Sequence, residues 1–171
     1  FLDPNGGGDG SQLAGWCMSN GEGYGTHFAG EAYQRIELSE NGLNCRIVPA
    51  SDPVGEGTYS AAEFMPALIR DGEKLENQDW TGEQPRACFG AGDQGICMLV
   101  IEGRYPDEGI RGTSVNTCAD ILLAYGCRNA INMDGGSSAI LWYDGEYVTQ
   151  SSSVTLRYTG GRPLPNAWVY G

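Results

Sequence analysis

The sequence has few basic residues, a single histidine and no long apolar run. Lys and Arg total 10 against 22 Asp and Glu, which gives a formal charge of −12 over 171 residues. Because nucleic-acid phosphates repel such an acidic surface, we expect no nucleic-acid partner. No run of about 20 apolar residues could span a membrane, and no basic segment followed by an apolar one marks a signal peptide in this chain. The length predicts a single domain over residues 1–171, large enough to bury a core.

The six cysteines lack any C-x-x-C pair, which argues against a zinc ribbon or a thioredoxin-like motif. Cys118 and Cys127 lie nine residues apart across a predicted helix, which would separate them by about 13 Å, too far for a disulfide. Cys88 and Cys97 flank a predicted hairpin and could face each other, although the register stays open. We expect mostly free, buried thiols that pack as small apolar residues.

The first ten residues are rich in glycine and contain Asp3, Asn5 and Asp9 at alternating positions. Oxygen ligands at this spacing resemble the start of a calcium-binding loop. Such a loop starting at Asp3 needs an acidic residue at its twelfth position, which is Ala14, and a ligand at its fifth, which is Gly7. The pattern therefore favours a Gly-rich turn over a calcium site.

The segment 129–143 is the most informative part of the chain. An apolar run leads into Asp134, two glycines and two serines, and a β-branched and aromatic run follows. This pattern predicts a strand, a tight turn and a second strand. Consecutive glycines allow positive φ, so the turn amides could converge on an anion beside Asp134. The same Asp-Gly pair is also a common hairpin turn that binds nothing.

A helix is predicted immediately upstream, over residues 114–125. Ser114 or Thr113 can cap its start and Gly126 can end it. Its apolar residues recur at helical spacing: Val115, Cys118, Ala119, Leu122 and Tyr125. Because a strand is predicted at 96–102, the order strand, helix, strand favours a right-handed crossover with parallel pairing. Asp134 would then lie just past the carboxyl end of the second parallel strand, where open sheets bind ligands.

The rest of the chain predicts short strands joined by polar turns. Segments 86–91 and 96–102 form a predicted hairpin, and 20–23 is a predicted turn. Further strands are expected at 13–19, 33–38, 45–48, 66–70, 139–143, 147–150 and 167–170. The predicted fold class is therefore α+β, with a mixed, largely antiparallel sheet and one β-α-β crossover. His27 is expected to have a structural role. Four aromatic side chains could form a surface that stacks on sugar rings, but aromatic residues in strands are more often part of the core, and we favour the core position. These four are Trp142, Tyr143, Trp168 and Tyr170.

Several motifs follow one another in an order that resembles the phosphodiester glycosidase family. They are Arg86-Ala-Cys-Phe-Gly90, Glu102-Gly-Arg104, a helix, Asn132-Met-Asp-Gly-Gly-Ser-Ser138, Arg162-Pro and Asn166-Ala. The family signature is Asn-x-Asp-Gly-Gly-Gly/Ser-Ser, and it usually has Asp-Gly-Arg where this chain has Glu102. The resemblance covers about the C-terminal two-thirds of the chain, and an ordered set of motifs is specific.

Family members also carry an Asn-Gly-Gly-Phe segment preceded by further strands, and Phe1-Leu2-Asp3 resembles the tail of that segment. We therefore expect the chain to lack the N-terminal strands of its domain. Part of the site would then be absent or supplied by a separate chain. The resemblance also implies a location outside the cytoplasm, in a secreted or cell-surface protein.

The resemblance implies hydrolysis of a sugar-1-phosphodiester, in a glycan or exopolysaccharide, to free sugar and a phosphate monoester. We name no cofactor and no metal ligand, and the metal requirement stays open. The departing phosphate monoester has a second pKa of about 6, so its charge needs stabilising more than it needs a strong general acid. Arginine binds phosphate oxygens bidentately. Arg86 and Arg104 are the first candidates for binding the phosphate, and Arg162 is the third. For each of them, the alternative is a salt bridge on the surface.

Asp134 is the candidate for the carboxylate that acts at the anomeric carbon, with Glu102 as its partner. The remaining candidates would bind phosphate or sugar oxygens. For the two asparagines, the alternative is that their side chains only stabilise turns by hydrogen bonding. The candidates are Gly135, Gly136, Ser137, Ser138, Asn132 and Asn166. One alternative is a non-catalytic glycan-binding module. Another is a metal-dependent phosphoesterase with Asp134, Glu102 and Asp3 as oxygen ligands. The phosphoesterase has little support, because His and Asp residues are not clustered in the sequence.

Overall fold

The computed structural model describes residues 13–77 and 79–170, so the Gly-rich stretch with Asp3, Asn5 and Asp9 lies outside the described residues. Two five-stranded sheets, one α-helix and a short hairpin make up the described fold. The first sheet contains β1 (Trp16–Ser19), β2 (Glu22–Gly25), β3 (Gln34–Leu38), β4 (Cys45–Pro49) and β5 (Ser60–Phe64), in the order β2-β1-β5-β3-β4.

The second sheet carries the only α-helix in the described part of the chain, α1 (Val115–Ala124). Its strands are β6 (Ala67–Arg70), β7 (Glu73–Lys74), β8 (Arg86–Gly92), β9 (Gly95–Ile101) and β10 (Cys127–Asn132), in the order β7-β6-β10-β8-β9. A separate hairpin follows, formed by β11 (Trp142–Tyr143) and β12 (Glu146–Tyr147). The predicted α+β class with largely antiparallel strands is confirmed.

The predicted parallel pairing across the crossover is wrong. The chain does pass from β9 through α1 to β10, but β8 lies between these two strands. β8 pairs antiparallel with both neighbours, so β9 and β10 run in the same direction without sharing hydrogen bonds. The reason is local: the two-residue turn at Asp93 and Gln94 closes β8 and β9 into a hairpin, and the opposite edge of β8 is left for β10.

Apolar residues fill two layers, one between the sheets and one under the helix. Between the sheets, Ile36 and Leu38 of β3 pack against Phe89 of β8 and Ile131 of β10. On the other face of the second sheet, the apolar side of α1 packs against the side chains of β6, β8 and β10. The helix begins where predicted, because the Ser114 hydroxyl accepts a hydrogen bond from the Thr117 backbone N–H at 3.2 Å. The second sheet is therefore buried on both faces.

The outer face of the first sheet buries a network of charged side chains. Arg35, Glu37 and Glu63 are each at most 2% exposed. Arg35 pairs with Glu37 at 2.8 Å and lies 3.6 Å from Glu63. His27 contacts the same Glu63 carboxylate at 2.5 Å and stacks on Trp16, which gives the single histidine a structural role, as predicted.

Several strand predictions differ from the structure. β2 and β5 were not predicted, because their Gly- and Ala-rich sequences lack the apolar alternation of a typical strand. The segment expected as a strand at 139–143 begins in a short 3₁₀ turn, Gly136–Ser138, and only Trp142 and Tyr143 pair. No strand forms at 167–170. All six cysteines, which lie in the described residues, are free, as expected. No helix in the described segments is long and apolar enough to cross a membrane.

Candidate active site

Asp134 lies two residues beyond the end of β10, on a segment that stays hydrogen-bonded to the start of β8. The backbone N–H of Met133 donates to the Ala87 carbonyl at 2.8 Å, and that of Gly136 donates to the Pro85 carbonyl at 3.1 Å. Because the Gly136 amide is engaged in this bond, it is not available to an anion, and the predicted concavity of turn amides loses one of its three donors.

Both glycines after Asp134 are required by close contacts. A Cβ at Gly135 would lie 2.5 Å from the Pro85 carbonyl oxygen, which no side chain could tolerate. Gly136 has φ +58°, and its Cβ would lie 3.1 Å from Nη1 of Arg104. The Asp-Gly-Gly sequence thus lets the chain turn tightly against β8 and brings the Arg104 guanidinium close to the backbone beside Asp134.

The Asp134 carboxylate pairs with Arg162, which approaches from the C-terminal segment. Nη2 of Arg162 donates to Oδ2 of Asp134 at 3.1 Å, and its Nε donates to the Ser138 hydroxyl at 3.0 Å. The two charged side chains are 18% and 27% exposed. A carboxylate, a guanidinium and a hydroxyl therefore meet in a half-buried cluster, which we call the Asp134 cluster (Asp134, Ser138 and Arg162). Of the three arginines considered from the sequence, the one ranked third makes this contact.

Arg104 lies at the exposed rim of the Asp134 cluster. It follows β9 in a left-handed conformation, φ +70°, and its Nε and Nη2 atoms donate to the Gln84 side-chain oxygen at 3.2 and 3.0 Å. The partner is a neutral amide, so the positive charge of Arg104 is not neutralised by this contact. An incoming anion could replace Gln84 at little cost. Gln84 carried no signal in the sequence.

Arg86 points away from this rim, toward the face of the sheet that α1 covers. It is only 6% exposed, and its Nε and Nη2 atoms donate to the carbonyls of Thr113 and Gly82 at 3.1 and 2.9 Å. Its guanidinium lies 5.9 Å from the centre of the Trp80 ring. Burial lowers the pKa of Arg86, and no carboxylate among the described residues forms an ion pair with it. These contacts fasten the segments before β8 and before α1 together.

The other predicted residues are more dispersed. Oε1 of Glu102 accepts a hydrogen bond from the Gln150 backbone N–H at 2.6 Å. Asn132, 1% exposed, donates from Nδ2 to the Met65 carbonyl at 2.8 Å. The Asn166 side chain hydrogen bonds with the Cys17 thiol, and this bond lowers the pKa of Cys17 less than burial raises it. The asparagines thus connect the two sheets and the C-terminal segment.

The aromatic residues divide between core and surface. Trp168 stacks on Phe89 with ring centres 4.0 Å apart, in agreement with the predicted core position. The core prediction is wrong for the other three, since Trp142, Tyr143 and Tyr170 are 60%, 74% and 81% exposed. The hairpin that begins four residues after Ser138 therefore presents an aromatic surface.

No group of three or more His, Cys, Asp or Glu side chains within residues 13–77 and 79–170 is arranged to hold a metal ion. The third ligand of the phosphoesterase alternative, Asp3, lies outside the described residues. The oxygen ligands that this alternative requires from the described chain, Asp134 and Glu102, are bonded to Arg162 and to a backbone amide respectively.

Comparison with known proteins identifies the family. The phosphodiester glycosidase family model matches residues 4–170. A search of curated proteins finds no significant match. Among solved structures, the catalytic domain of zebrafish N-acetylglucosamine-1-phosphodiester alpha-N-acetylglucosaminidase, auto-inhibited by its pro-peptide, superposes with a TM-score of 0.66 at 16% identity. The match covers 96% of this chain and 58% of the zebrafish chain, so the chain spans a little over half of that relative's length.

Two bacterial structures are also similar. A Burkholderia pseudomallei protein described as exported matches with a TM-score of 0.50 at 17% identity, over 79% of this chain and 38% of its own. A Synechocystis protein matches with a TM-score of 0.45 at 19% identity, over 71% and 32%. At these identities the structural likeness concerns the fold alone. The family match, however, extends over nearly the whole sequence, and this chain belongs to the phosphodiester glycosidase family.

Proposed function

We propose that this protein hydrolyses a sugar-1-phosphodiester at the anomeric carbon and releases the free sugar and a phosphate monoester. The observation that carries this proposal is the Asp134 cluster, in which a carboxylate is held 3.1 Å from Arg162. Attack at an anomeric carbon requires a carboxylate, either as nucleophile or as the base for a water molecule. The Arg162 guanidinium orients this carboxylate.

The leaving phosphate needs a cation more than it needs an acid. Arg104 suits this role because it is exposed, lies beside Gly136 and, among the described residues, its guanidinium hydrogen bonds to the neutral Gln84 side chain. The buried Arg86, by contrast, donates from two of its nitrogens to backbone carbonyls. We therefore propose that it mainly holds the backbone of the site in place. Glu102 is proposed as the second carboxylate, with Oε1 bound to the Gln150 amide.

The substrate class we propose is a surface glycan or exopolysaccharide outside the cytoplasm. The similar fold of a Burkholderia protein described as exported supports this location. The zebrafish neighbour acts, by its name, on an N-acetylglucosamine-1-phosphodiester, which makes that sugar the first to test.

The test is incubation with the methyl phosphodiester of α-N-acetylglucosamine-1-phosphate, followed by NMR of the products. The proposal predicts free N-acetylglucosamine and methyl phosphate, because the bond from the anomeric carbon to oxygen breaks. Release of methanol and sugar-1-phosphate would instead indicate a phosphoesterase and contradict the proposal. The anomeric signal of the first product would also show whether configuration is retained or inverted.

The exposed aromatic hairpin favours the glycan-binding alternative as a second candidate. Trp142 and Tyr147 lie directly opposite each other in β11 and β12, and both are more than half exposed. Flat aromatic surfaces of this kind suit stacking on sugar rings. Saturable binding of the same phosphodiester without any product would support this candidate over the enzyme.

Replacing Arg104 by glutamine is expected to raise KM about 10-fold or more, with a smaller effect on stability. A charge-assisted hydrogen bond to phosphate contributes about 1.5–3 kcal/mol, whereas the bonds to Gln84 are exposed. Initial rates over a range of substrate concentrations measure KM and kcat separately. Arg128→Gln, at an exposed position near the start of β10, is the matched control and should leave KM unchanged. An unchanged KM in Arg104→Gln would remove Arg104 from the phosphate site.

A further inference from the structure

Four exposed apolar side chains lie within seven consecutive residues, 142–148, in and beside the hairpin of β11 and β12. They are Trp142, Tyr143, Tyr147 and Val148, and each is more than half exposed. Contiguous apolar area on the surface of a soluble protein commonly marks a binding site for another molecule. The hairpin is therefore a candidate binding surface, and its geometry and charge limit what it binds.

The two faces of the hairpin differ in composition. Trp142 pairs directly with Tyr147, and Tyr143 pairs with Glu146. Directly opposite residues of an antiparallel pair share a face, and successive residues of a strand alternate between faces. One face therefore carries two aromatic rings side by side, and we call it the Trp142 face (Trp142 and Tyr147). The reverse face carries the Tyr143 ring beside a carboxylate.

The Trp142 face is joined to the Asp134 cluster through the segment that carries Arg162. The Tyr147 ring packs on Gly160, where a Cβ would lie 2.6 Å from the ring atom Cζ. Gly160 is two residues before Arg162, so the Cα atoms of these two residues are no more than about 7 Å apart. At the base of the hairpin, Ile140 lies so close to Gly161 that no side chain fits at the glycine. The hairpin is thus held against the segment whose guanidinium binds the carboxylate of the cluster.

A second connection to the Asp134 cluster runs along the chain. Trp142 follows Ser138 by four residues, so their Cα atoms are at most about 14 Å apart. The backbone N–H of Leu141 donates to the Thr149 hydroxyl at 2.8 Å, which closes the base of the hairpin. A ligand of two or three sugar rings bound at the Asp134 cluster is therefore long enough to extend to the Trp142 face.

The charges of the hairpin favour an uncharged ligand. Asp144 and Glu146 are the two charged residues of segment 142–148, and both are acidic and exposed. Together with the net charge of −12, they repel the phosphates of nucleic acids and the headgroups of an anionic lipid surface. A neutral sugar ring is not repelled, and its C–H groups bury apolar area when they stack on an aromatic ring.

We propose that the Trp142 face is a subsite for an uncharged sugar ring of the substrate other than the one that is cleaved. The preferred substrate is then an oligosaccharide phosphodiester and not a monosaccharide one. The position of the cleaved bond rests on the proposed function, whereas the binding of the uncharged ring requires no reaction. Trp142 and Tyr147 contribute affinity through stacking and do not touch the reacting atoms.

The test is an NMR titration of the isotope-labelled chain with three phosphate-free oligosaccharides: tetra-N-acetylchitotetraose, cellotetraose and maltotetraose. Backbone amide signals of the hairpin give the dissociation constant for each variant. We expect saturable binding of at least one of the three, and binding to Trp142→Ala that is weaker by about 10-fold or more. Trp142→Tyr retains an aromatic ring and should bind within about 3-fold of the wild type.

Tyr143→Ala is the matched control, because it removes an aromatic ring from the reverse face of the same hairpin. Its affinity should equal that of the wild type. Absence of saturable binding with all three oligosaccharides would overturn the proposal, and so would equal losses of affinity in Tyr143→Ala and Trp142→Ala. A dimer that Trp142→Ala dissociates, measured by light scattering, would assign the Trp142 face to a second copy of the chain and overturn the proposal as well.

A hydrolysis assay separates this proposal from the proposed function. We compare kcat/KM for the methyl diester of α-N-acetylglucosamine-1-phosphate with kcat/KM for two diesters that carry two further sugar rings, one on the sugar side and one on the phosphate side. At least one extended diester should react about 10-fold faster, and Trp142→Ala should remove this advantage. Equal values for all three diesters would overturn the subsite while the proposed function stands. Oligosaccharide binding without hydrolysis of any diester would refute the proposed function and leave the Trp142 face as a sugar-binding surface.

Discussion

Asp134→Asn is expected to lower kcat/KM for the sugar-1-phosphodiester by about 10²–10⁴-fold, the range that a positioned acid–base or nucleophilic carboxylate contributes. Asparagine keeps the size of the side chain and can still accept a hydrogen bond from Arg162, but it can neither attack the anomeric carbon nor take a proton. The pair is partly exposed, so its loss should cost no more than about 1 kcal/mol of stability. The variant should therefore fold normally and fail in catalysis.

The measurement is product release by the variant and the wild type under identical conditions, with thermal melting to verify folding. Asp144→Asn is the matched control. Asp144 lies in the turn between β11 and β12, ten residues away, with φ +49°, a conformation that asparagine also adopts well. Its activity should equal that of the wild type. If Asp134→Asn retains full activity while folded, Asp134 has no catalytic role.

Glu37→Gln is expected to destabilise the fold by about 3–5 kcal/mol, because it breaks the buried 2.8 Å ion pair with Arg35 and leaves that guanidinium only the more distant Glu63 carboxylate, at 3.6 Å. The Glu37 carboxylate accepts hydrogen bonds from Arg35 and Arg46 at 2.8 Å each, from the Gly55 N–H at 3.2 Å and from the Thr58 hydroxyl at 3.0 Å. Arg35 is fully buried, so water cannot replace the lost charge. Urea denaturation at pH 7 measures the change as a lower midpoint.

The Glu37 carboxylate also makes the difference in stability between wild type and Glu37→Gln depend on pH. Burial raises the pKa of Glu37, but hydrogen bonds from Arg35, Arg46 and Thr58 outweigh it, so the net pKa is below the usual 4.5. A lowered folded pKa means that the contribution is complete above pH 4.5 and is lost as the pH falls through the folded value. The gap in stability between wild type and Glu37→Gln should therefore shrink in acid below pH 4.5.

Asp120→Asn provides the control for this prediction. It makes the same carboxylate-to-amide change in an ion pair with Lys74 on the surface, where the Asp120 side chain is 62% exposed. We expect little change in the denaturation midpoint, since solvent screens this pair. Equal effects of the two substitutions would contradict the importance of burial for Glu37.

Local sequence patterns predicted the secondary-structure elements whose formation depends mainly on residues close together in the sequence. The hairpin of β8 and β9 follows from two apolar runs around a short turn, and α1 follows from its apolar spacing and its Ser114 cap. Signals of this kind failed for β2 and β5. The fully exposed β2 and the Ala-rich β5 are strands because β1 and β3 supply partners, and no pattern within their own residues indicates this.

The sequence by itself determined the turn at Asp134, since Gly135 and Gly136 are the residues that its close contacts allow, and it identified the family through motifs in order. Only the tertiary structure decided which cation reaches the carboxylate. Arg162 is 28 residues from Asp134 in sequence yet bonds to it, whereas Arg86, whose backbone lies beside Gly135, directs its guanidinium under α1. A side chain's direction depends on which face of its strand is covered and by what, and the covering element, α1, lies elsewhere in the chain.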